Sequence, residues 1–281
     1  MKKIIGIILI IVLISCEREA IDGIPSYIKI ENINLIDTTD YNNGFNTENI
    51  TDAWVSINGI DKGIYELPTT FPVLDNGPVE VRVYAGIKDN GIAAQRKNYP
   101  FYNSYTENTI LVPDSITKIT PQVSVKENIN GQFDDFDNSF SFNYDSCCFE
   151  KIANGPYENY GSLTLSDSIL ITEIKYQDQT LSFNDVPQQG SPAYIELDYK
   201  NNTRFLVGIY INFTNSPTVE KGLLWVSPKD SWHKIYVNIT ETLTEAVGAE
   251  DFSLFIRMLR DDELEENKLD FDNIRIIHYE K

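Results

Sequence analysis

An all-β fold with two β-sandwich domains in series is what this sequence predicts, on three observations. Apolar residues recur at every second position in segment after segment, which is the period of a half-buried strand. Turn-forming runs separate these segments, among them Asn58-Gly59, Asp75-Asn76-Gly77-Pro78 and Asp89-Asn90-Gly91. Helical periodicity is essentially missing. The 281 residues exceed one typical domain length. A hydrophobic share of 42%, with 16 Tyr, 14 Phe and 3 Trp, is enough to fill real cores.

The chain opens with Lys2 and Lys3, then an apolar stretch from Ile4 to Ile14. About eleven residues fall short of the roughly twenty that a bilayer-spanning helix needs and suit a signal-peptide core. Leu13-Ile14-Ser15-Cys16 follows, which resembles the lipobox of bacterial lipoproteins. That resemblance implies a lipoprotein signal segment over residues 1–16, cut so that Cys16 becomes the new N-terminus, lipidated on sulfur and amine. Stable anchoring takes two chains or signals, and such a cysteine exceeds that. The expected location is therefore a membrane surface; Glu17 and Glu19 after the cysteine, with the heavy use of Asn, Ile and Asp, resemble Bacteroidetes lipoproteins and imply an outer membrane, in either leaflet. Residues 17–26 lack periodicity and read as a tether.

The first domain is expected over residues 27–127. Tyr27 to Glu31 and Ala53 to Ile57 alternate, and Val79-Glu80-Val81-Arg82-Val83 sets three valines on one face. A strand ending in Asn58-Gly59, a Gly63-to-Leu67-Pro68 connection, the Asp75-Asn76-Gly77-Pro78 turn and the valine strand come in an order that resembles PEGA-type or Ig-like small β-domains. Tyr99, Phe101, Tyr102 and Tyr105 form an aromatic cluster, read as core or interdomain packing rather than as a binding platform.

The second domain is expected over residues 128–281. Its strands include Tyr194–Tyr199, Phe205–Phe213, Trp232–Ile239, Phe252–Met258 and Asp270–Ile277. An acidic aromatic opening (QFDDFDNSF, 132–140), then the Trp232-to-Ile239 strand, then the closing FDNIRI (271–276) resemble the galactose-binding-like jelly roll of many carbohydrate-binding modules. The resemblance implies a jelly roll and a structural calcium, for which Asp135 in the opening and Asp272 in the closing strand are the expected ligands. Calcium takes six to eight oxygens, largely carboxylate and carbonyl.

Strand parity supplies candidate ligand-binding residues directly. Tyr210, Trp232, Tyr236 and Arg257 all fall opposite the apolar parity of their strands, so they are expected to share an outer aromatic and polar face. Sugars stack on aromatic rings and hydrogen-bond to polar groups, which makes glycan the expected ligand of such a face. A formal charge of −19 excludes nucleic acid as a partner, because phosphate backbones demand basic patches. Motifs of metalloproteases, serine hydrolases and phosphate-binding loops do not occur, and the two histidines, His233 and His278, read as surface or packing residues. Cys147 and Cys148 are neighbours, expected as two thiols or a strained vicinal disulfide. The reading is a non-catalytic, membrane-anchored lipoprotein that binds carbohydrate through its C-terminal jelly roll. Its rival is a component of an outer-membrane transport, secretion or motility complex, working through an outer-membrane protein partner.

Overall fold

Valines, isoleucines and aromatics at alternate positions bury one face of each strand, and two such faces back to back make a core. That is how both halves of the chain are built. The structure is a computed structural model describing residues 23–36, 47–137, 142–144, 147–176, 186 and 189–280. Cys16, with the apolar stretch before it, lies outside the described residues. So do Asn138, Ser139 and Phe140 of the acidic opening.

The first unit contains β1 (Ser26–Ile30), β2 (Asn34–Leu35), β3 (Asp52–Ile57), β4 (Ile60–Glu66), β5 (Thr69–Val73), β6 (Gly77–Lys88), β7 (Arg96–Asn98), β8 (Tyr105–Leu111), β9 (Ile116–Ile119) and β10 (Gln122–Val123). The long β6 pairs antiparallel with β3 over Val81–Gly86 and with β8 over Gly77–Val83. A second sheet runs β5-β1-β9, and β10 pairs with β2. Val79, Val81 and Val83 are all buried, as their parity predicts, alongside Ala53, Val55 and Ile57 of β3. Tight connections fall where the sequence signals them: Asn58-Gly59 and Asn90-Gly91 each take positive φ.

The second unit is a two-sheet sandwich of β11 (Ile129–Asp134), β12 (Phe142–Tyr144), β13 (Phe149–Gly155), β14 (Glu158–Leu165), β15 (Ile171–Tyr176), β16 (Ala193–Asn201), β17 (Phe205–Phe213), β18 (Ser216–Val226), β19 (Lys229–Asn238), β20 (Asp251–Leu259) and β21 (Asn267–Tyr279), with one short helix, α1 (Thr240–Glu245). One sheet runs β13-β14-β21-β16-β19, with β11 also on β21; the other runs β12-β15-β20-β17-β18. Between them lie Ile195 and Leu197, Val207 and Ile209, Ile235 and Val237, Leu254 and Ile256, Ile274 and Ile276. The parities read from the sequence for β17, β19 and β20 hold.

The two units meet along the outer face of the β16–β19–β21 layer. Tyr194, Tyr236 and Ile277 belong to the same buried apolar cluster as Ile28, Val83 and Phe101 of the first unit. The Tyr99 ring packs edge-on against Tyr194 at 5.5 Å and lies 4.9 Å from Tyr236. The aromatic cluster therefore serves packing between the units, as expected. Polar groups at this junction are matched: Tyr194 donates to Asp89 at 3.0 Å, the Asn238 backbone N–H to Asn90 at 2.8 Å, and the Asn49 N–H to the Tyr236 hydroxyl at 3.0 Å.

Candidate functional site

The four residues expected on one face are divided between two sheets. Tyr210 and Arg257 lie on the outer face of the β15–β20–β17–β18 layer, whereas Trp232 and Tyr236 lie in β19 of the opposite sheet. Parity tells inside from outside, and it does not say which sheet a strand joins. Tyr236 is 2% exposed, sealed against the first unit, and burial with the Glu196 charge pushes its hydroxyl pKa well up.

With the first unit covering the other sheet, the face carrying Tyr210 and Arg257 is the open one. Register places Trp225, Leu206, Arg257 and Glu173 in one cross-strand row. Gly222, Gly208, Phe255 and Lys175 form the next row, and Glu220, Tyr210 and Ser253 the third. The middle row carries two glycines, which leaves room beside Gly208 for the Phe255 ring. A Cβ on Gly208 would meet the Phe255 ring at 2.2 Å, so the ring lies flat over that glycine. Phe255 is fully buried although its parity points outward. It is covered by Tyr210, 4.7 Å away, and by the Arg257 guanidinium, 4.7 Å above its ring. Trp225 stays 43% exposed, with Arg204 beside its ring at 5.2 Å.

Arg257 is held on both sides. It reaches Glu220 by two bonds of 2.6 and 2.9 Å, Glu173 at 2.7 Å, and donates to the Tyr210 hydroxyl at 3.0 Å. Tyr210 in turn donates to Glu173 at 2.8 Å. These contacts raise the Arg257 pKa further, while burial and Glu173 push Tyr210 up to about 12. Lys175 sits 4.4 Å over the Tyr210 ring. Two carboxylates and two cations thus form a fixed network around the buried Phe255 ring. Trp225 was missed in the sequence because β18 opens with polar residues and Pro217 and closes in an unalternating apolar run, Leu223 to Val226. The signal that finds it is Gly222 standing opposite Gly208.

Trp232 takes part in a different arrangement. Its ring meets Tyr157 at 6.0 Å and Tyr160 at 5.4 Å, both edge-on. It borders a polar cleft of about 180 Å³ lined by Thr47, Glu48 and Asn49 of the first unit and by Tyr157, Asp198, His233 and Lys234 of the second. Sequence reading missed Asp198 and the 47–49 segment, which meet only through folding.

The expected metal ligands sit close behind. Asp272 is fully buried opposite Asp198, at a point where the β16–β21 register slips and Asn273 takes a φ of 49°. Its Oδ1 accepts the Asn273 N–H at 2.7 Å, and its Oδ2 has no partner. Burial pushes its pKa up to about 8, with the charges of Asp198, Asp137 and Asp135 adding to the rise. Asp135 is 7% exposed and accepts the Asp137 N–H at 3.0 Å. Among the described residues, no group of three or more His, Cys, Asp or Glu side chains converges as a metal site. The orphaned oxygen suits a cation, but the donor count does not reach that of calcium in this arrangement. His233 and His278 contact neighbouring residues of their own strands, and Cys147 is exposed while Cys148 is buried.

Comparison with known proteins places these features among distant likenesses. No protein-family model matches the chain, and no curated protein does. Solved structures do. The family 30 carbohydrate-binding module of the cellulase Cel9D-Cel44B of Clostridium thermocellum is 10% identical, over 52% of this chain and 90% of that one, with a TM-score of 0.39. The C-terminal family 22 carbohydrate-binding module of Xyn10B from the same organism is 12% identical, over 53% and 92%, with a TM-score of 0.37. The enzymatically active domain of tailspike protein 4 of bacteriophage CBA120 is 10% identical, over 54% of this chain but only 19% of that one, with a TM-score of 0.36. All three are likenesses of fold alone, each over about half of this chain.

Proposed function

We propose that this chain is a non-catalytic carbohydrate-binding protein that holds glycan on the open sheet of its C-terminal sandwich. The observation that carries the reading is that open face: Trp225 stands exposed on it, Tyr210, two rows away, caps the buried Phe255 ring, and Arg257 is fixed between Glu173 and Glu220. An exposed indole gives a sugar ring a flat apolar surface, and the polar network supplies donors and acceptors that need no reordering on binding. In this reading lipid on Cys16 ties the protein to the outer membrane, residues 17–26 space it from the surface, and the PEGA or Ig-like unit over residues 27–127 presents the sandwich over residues 128–281. In the same reading a calcium at Asp272 and Asp135 would compete with the Asp272 proton and complete its shell from backbone carbonyls and water; the partnerless Asp272 oxygen supports this.

The test is affinity electrophoresis of residues 17–281 in mixed-linked β-glucan and in xylan. The family 11 relative was solved with a β-1,3-1,4-mixed-linked tetrasaccharide, and a family 22 relative is described as xylan-binding, so these are natural first probes. Retardation that Trp225→Ala weakens at least tenfold, about 1.4 kcal/mol, is the expected result. Equal retardation of the variant would refute the face.

A second reading, assembly with an outer-membrane protein, is favoured by one observation. The edge strand β4 exposes Ile60 and Ile64, with Ile110 exposed elsewhere on the first unit. Unpaired edges with apolar side chains invite strand addition from a partner. Crosslinking in native membranes through a photoreactive residue at position 60 discriminates the two.

A further inference from the structure

The cleft between the two units is separate from the open sheet and differs from it in chemistry. It is lined almost wholly by polar groups, and most of its donors are already spent. The Lys234 ammonium contacts Glu196 at 2.9 Å and donates to Thr47 at 3.1 Å. The Asn49 amide nitrogen donates to the Lys234 carbonyl at 2.8 Å. Thr47 donates its hydroxyl to Asp198 at 2.6 Å. What faces the space is therefore an excess of acceptors, led by the carboxylates of Glu48 and Asp198.

The local field is negative. Lys234 and Arg275 face Glu196, and Glu48 and Asp198 add two more carboxylates, so acids outnumber bases there. Burial raises the Tyr157 hydroxyl pKa and the charges of Asp198, Asp272 and Glu48 raise it further, while partial burial raises that of Glu48 even with Lys234 nearby. Behind Asp198, the Asn273 amide donates to it at 2.8 Å, while the buried Asn273 carbonyl oxygen has no partner. One wall is aromatic, with Trp232 braced by Tyr157 and Tyr160. At about 180 Å³ the cleft is smaller than the roughly 300–1,000 Å³ of typical ligand sites, which suits a single small ring.

We infer that this cleft is a second binding site, specific for a single sugar ring bearing a protonated amine. The ammonium group supplies three donors to a site rich in acceptors. Its charge meets Glu48 and Asp198, and the ring lies along Trp232. A neutral sugar satisfies the wall but not the charge. Because Glu48 belongs to one unit and Asp198 and Trp232 to the other, the ligand also bridges the two.

Isothermal titration of residues 17–281 with glucosamine, N-acetylglucosamine and glucose tests this at slightly acidic pH, where the amine is charged. Saturable binding of glucosamine, at least tenfold tighter than of the other two, is expected. Glu48→Gln is expected to reduce that binding at least tenfold, and its surface position keeps folding intact, checked by an unshifted melting temperature. N-acetylglucosamine binding as tightly as glucosamine would overturn amine recognition. No saturation by any of the three, or full-strength binding by Glu48→Gln, would overturn the site. Polysaccharide retardation and its loss in Trp225→Ala are scored on the same preparations, so failure of the open-sheet reading and failure of the cleft are told apart.

Discussion

Asp272 keeps one carboxyl oxygen fully buried and without a partner, and that decides its protonation. Burial first, then the charges of Asp198, Asp137 and Asp135, carry its pKa from 3.8 to about 8. The folded protein therefore holds a proton there at neutral pH that the unfolded chain has released. The stability this contributes is fully present below the unfolded value and is lost as pH rises through about 8. Melting temperature is expected to fall across that window in the wild type and to fall less in Asp272→Asn, whose amide carries no titrating proton. Calcium, if it displaces that proton, raises the melting temperature at about pH 8 and has little effect at about pH 5. Equal calcium shifts at both pH values would remove calcium from Asp272. The sequence marks Asp135 and Asp272 as acids in an opening and a closing strand. Asp198 escapes notice there, because its place opposite Asp272 exists only through the β16–β21 register.

At the scale of the strand, alternation is legible and sheet membership is not. The expected strands at Tyr194, Phe205, Trp232, Phe252 and Asp270 all form, and their inward residues are those of the core. Yet β17 and β19 present Tyr210 and Tyr236 on opposite sides of the sandwich, one to solvent and the other to the first unit. Nothing in a period of two distinguishes these outcomes. Phe255 is the sharpest departure, an outward residue buried because β17 and β18 each place a glycine in its row. Gly208→Ala tests that arrangement. The added Cβ would meet the Phe255 ring at 2.2 Å and the Lys221 carbonyl oxygen at 2.8 Å, and a backbone atom has no rotamer to escape into. A loss of about 1–3 kcal/mol is expected, read by chemical denaturation. Displacing Phe255 also disturbs Arg257 above it, so polysaccharide retardation weakens in the same variant. Unchanged stability would mean that Phe255 does not rest on the glycine.

Across the whole molecule, the two units are joined by a buried charge group as well as by aromatic rings. Glu196 and Lys234 are each about 1% exposed in their side chains and lie 2.9 Å apart. Tyr99 of the first unit donates to the other Glu196 oxygen, and Arg275 stands 3.9 Å away. Burial alone would raise the Glu196 pKa, but Lys234, Arg275 and the Tyr99 hydroxyl outweigh it and hold the carboxyl below its usual range. That contribution is present above the ordinary carboxylate pKa and is lost as pH falls through the lowered folded value. Removing one partner of such a pair strands the other in a dry site, so Lys234→Met is expected to cost about 3–5 kcal/mol. The aromatic run from Tyr99 to Tyr102 announces packing in the sequence, but its partners Tyr194 and Tyr236 lie far along the chain and carry no mark of a junction. The consequence for the separate parts is direct. Residues 128–281 made alone would expose Tyr194, Tyr236 and Ile277 as one apolar patch, with Glu196, Lys234 and Arg275 among them. That fragment is expected to aggregate or melt well below the full chain, and the full chain to unfold in a single transition with both units together. Differential scanning calorimetry of both proteins checks this. Two separate transitions in the full chain, the later matching that of the fragment, would show that the units fold independently despite the seam between them.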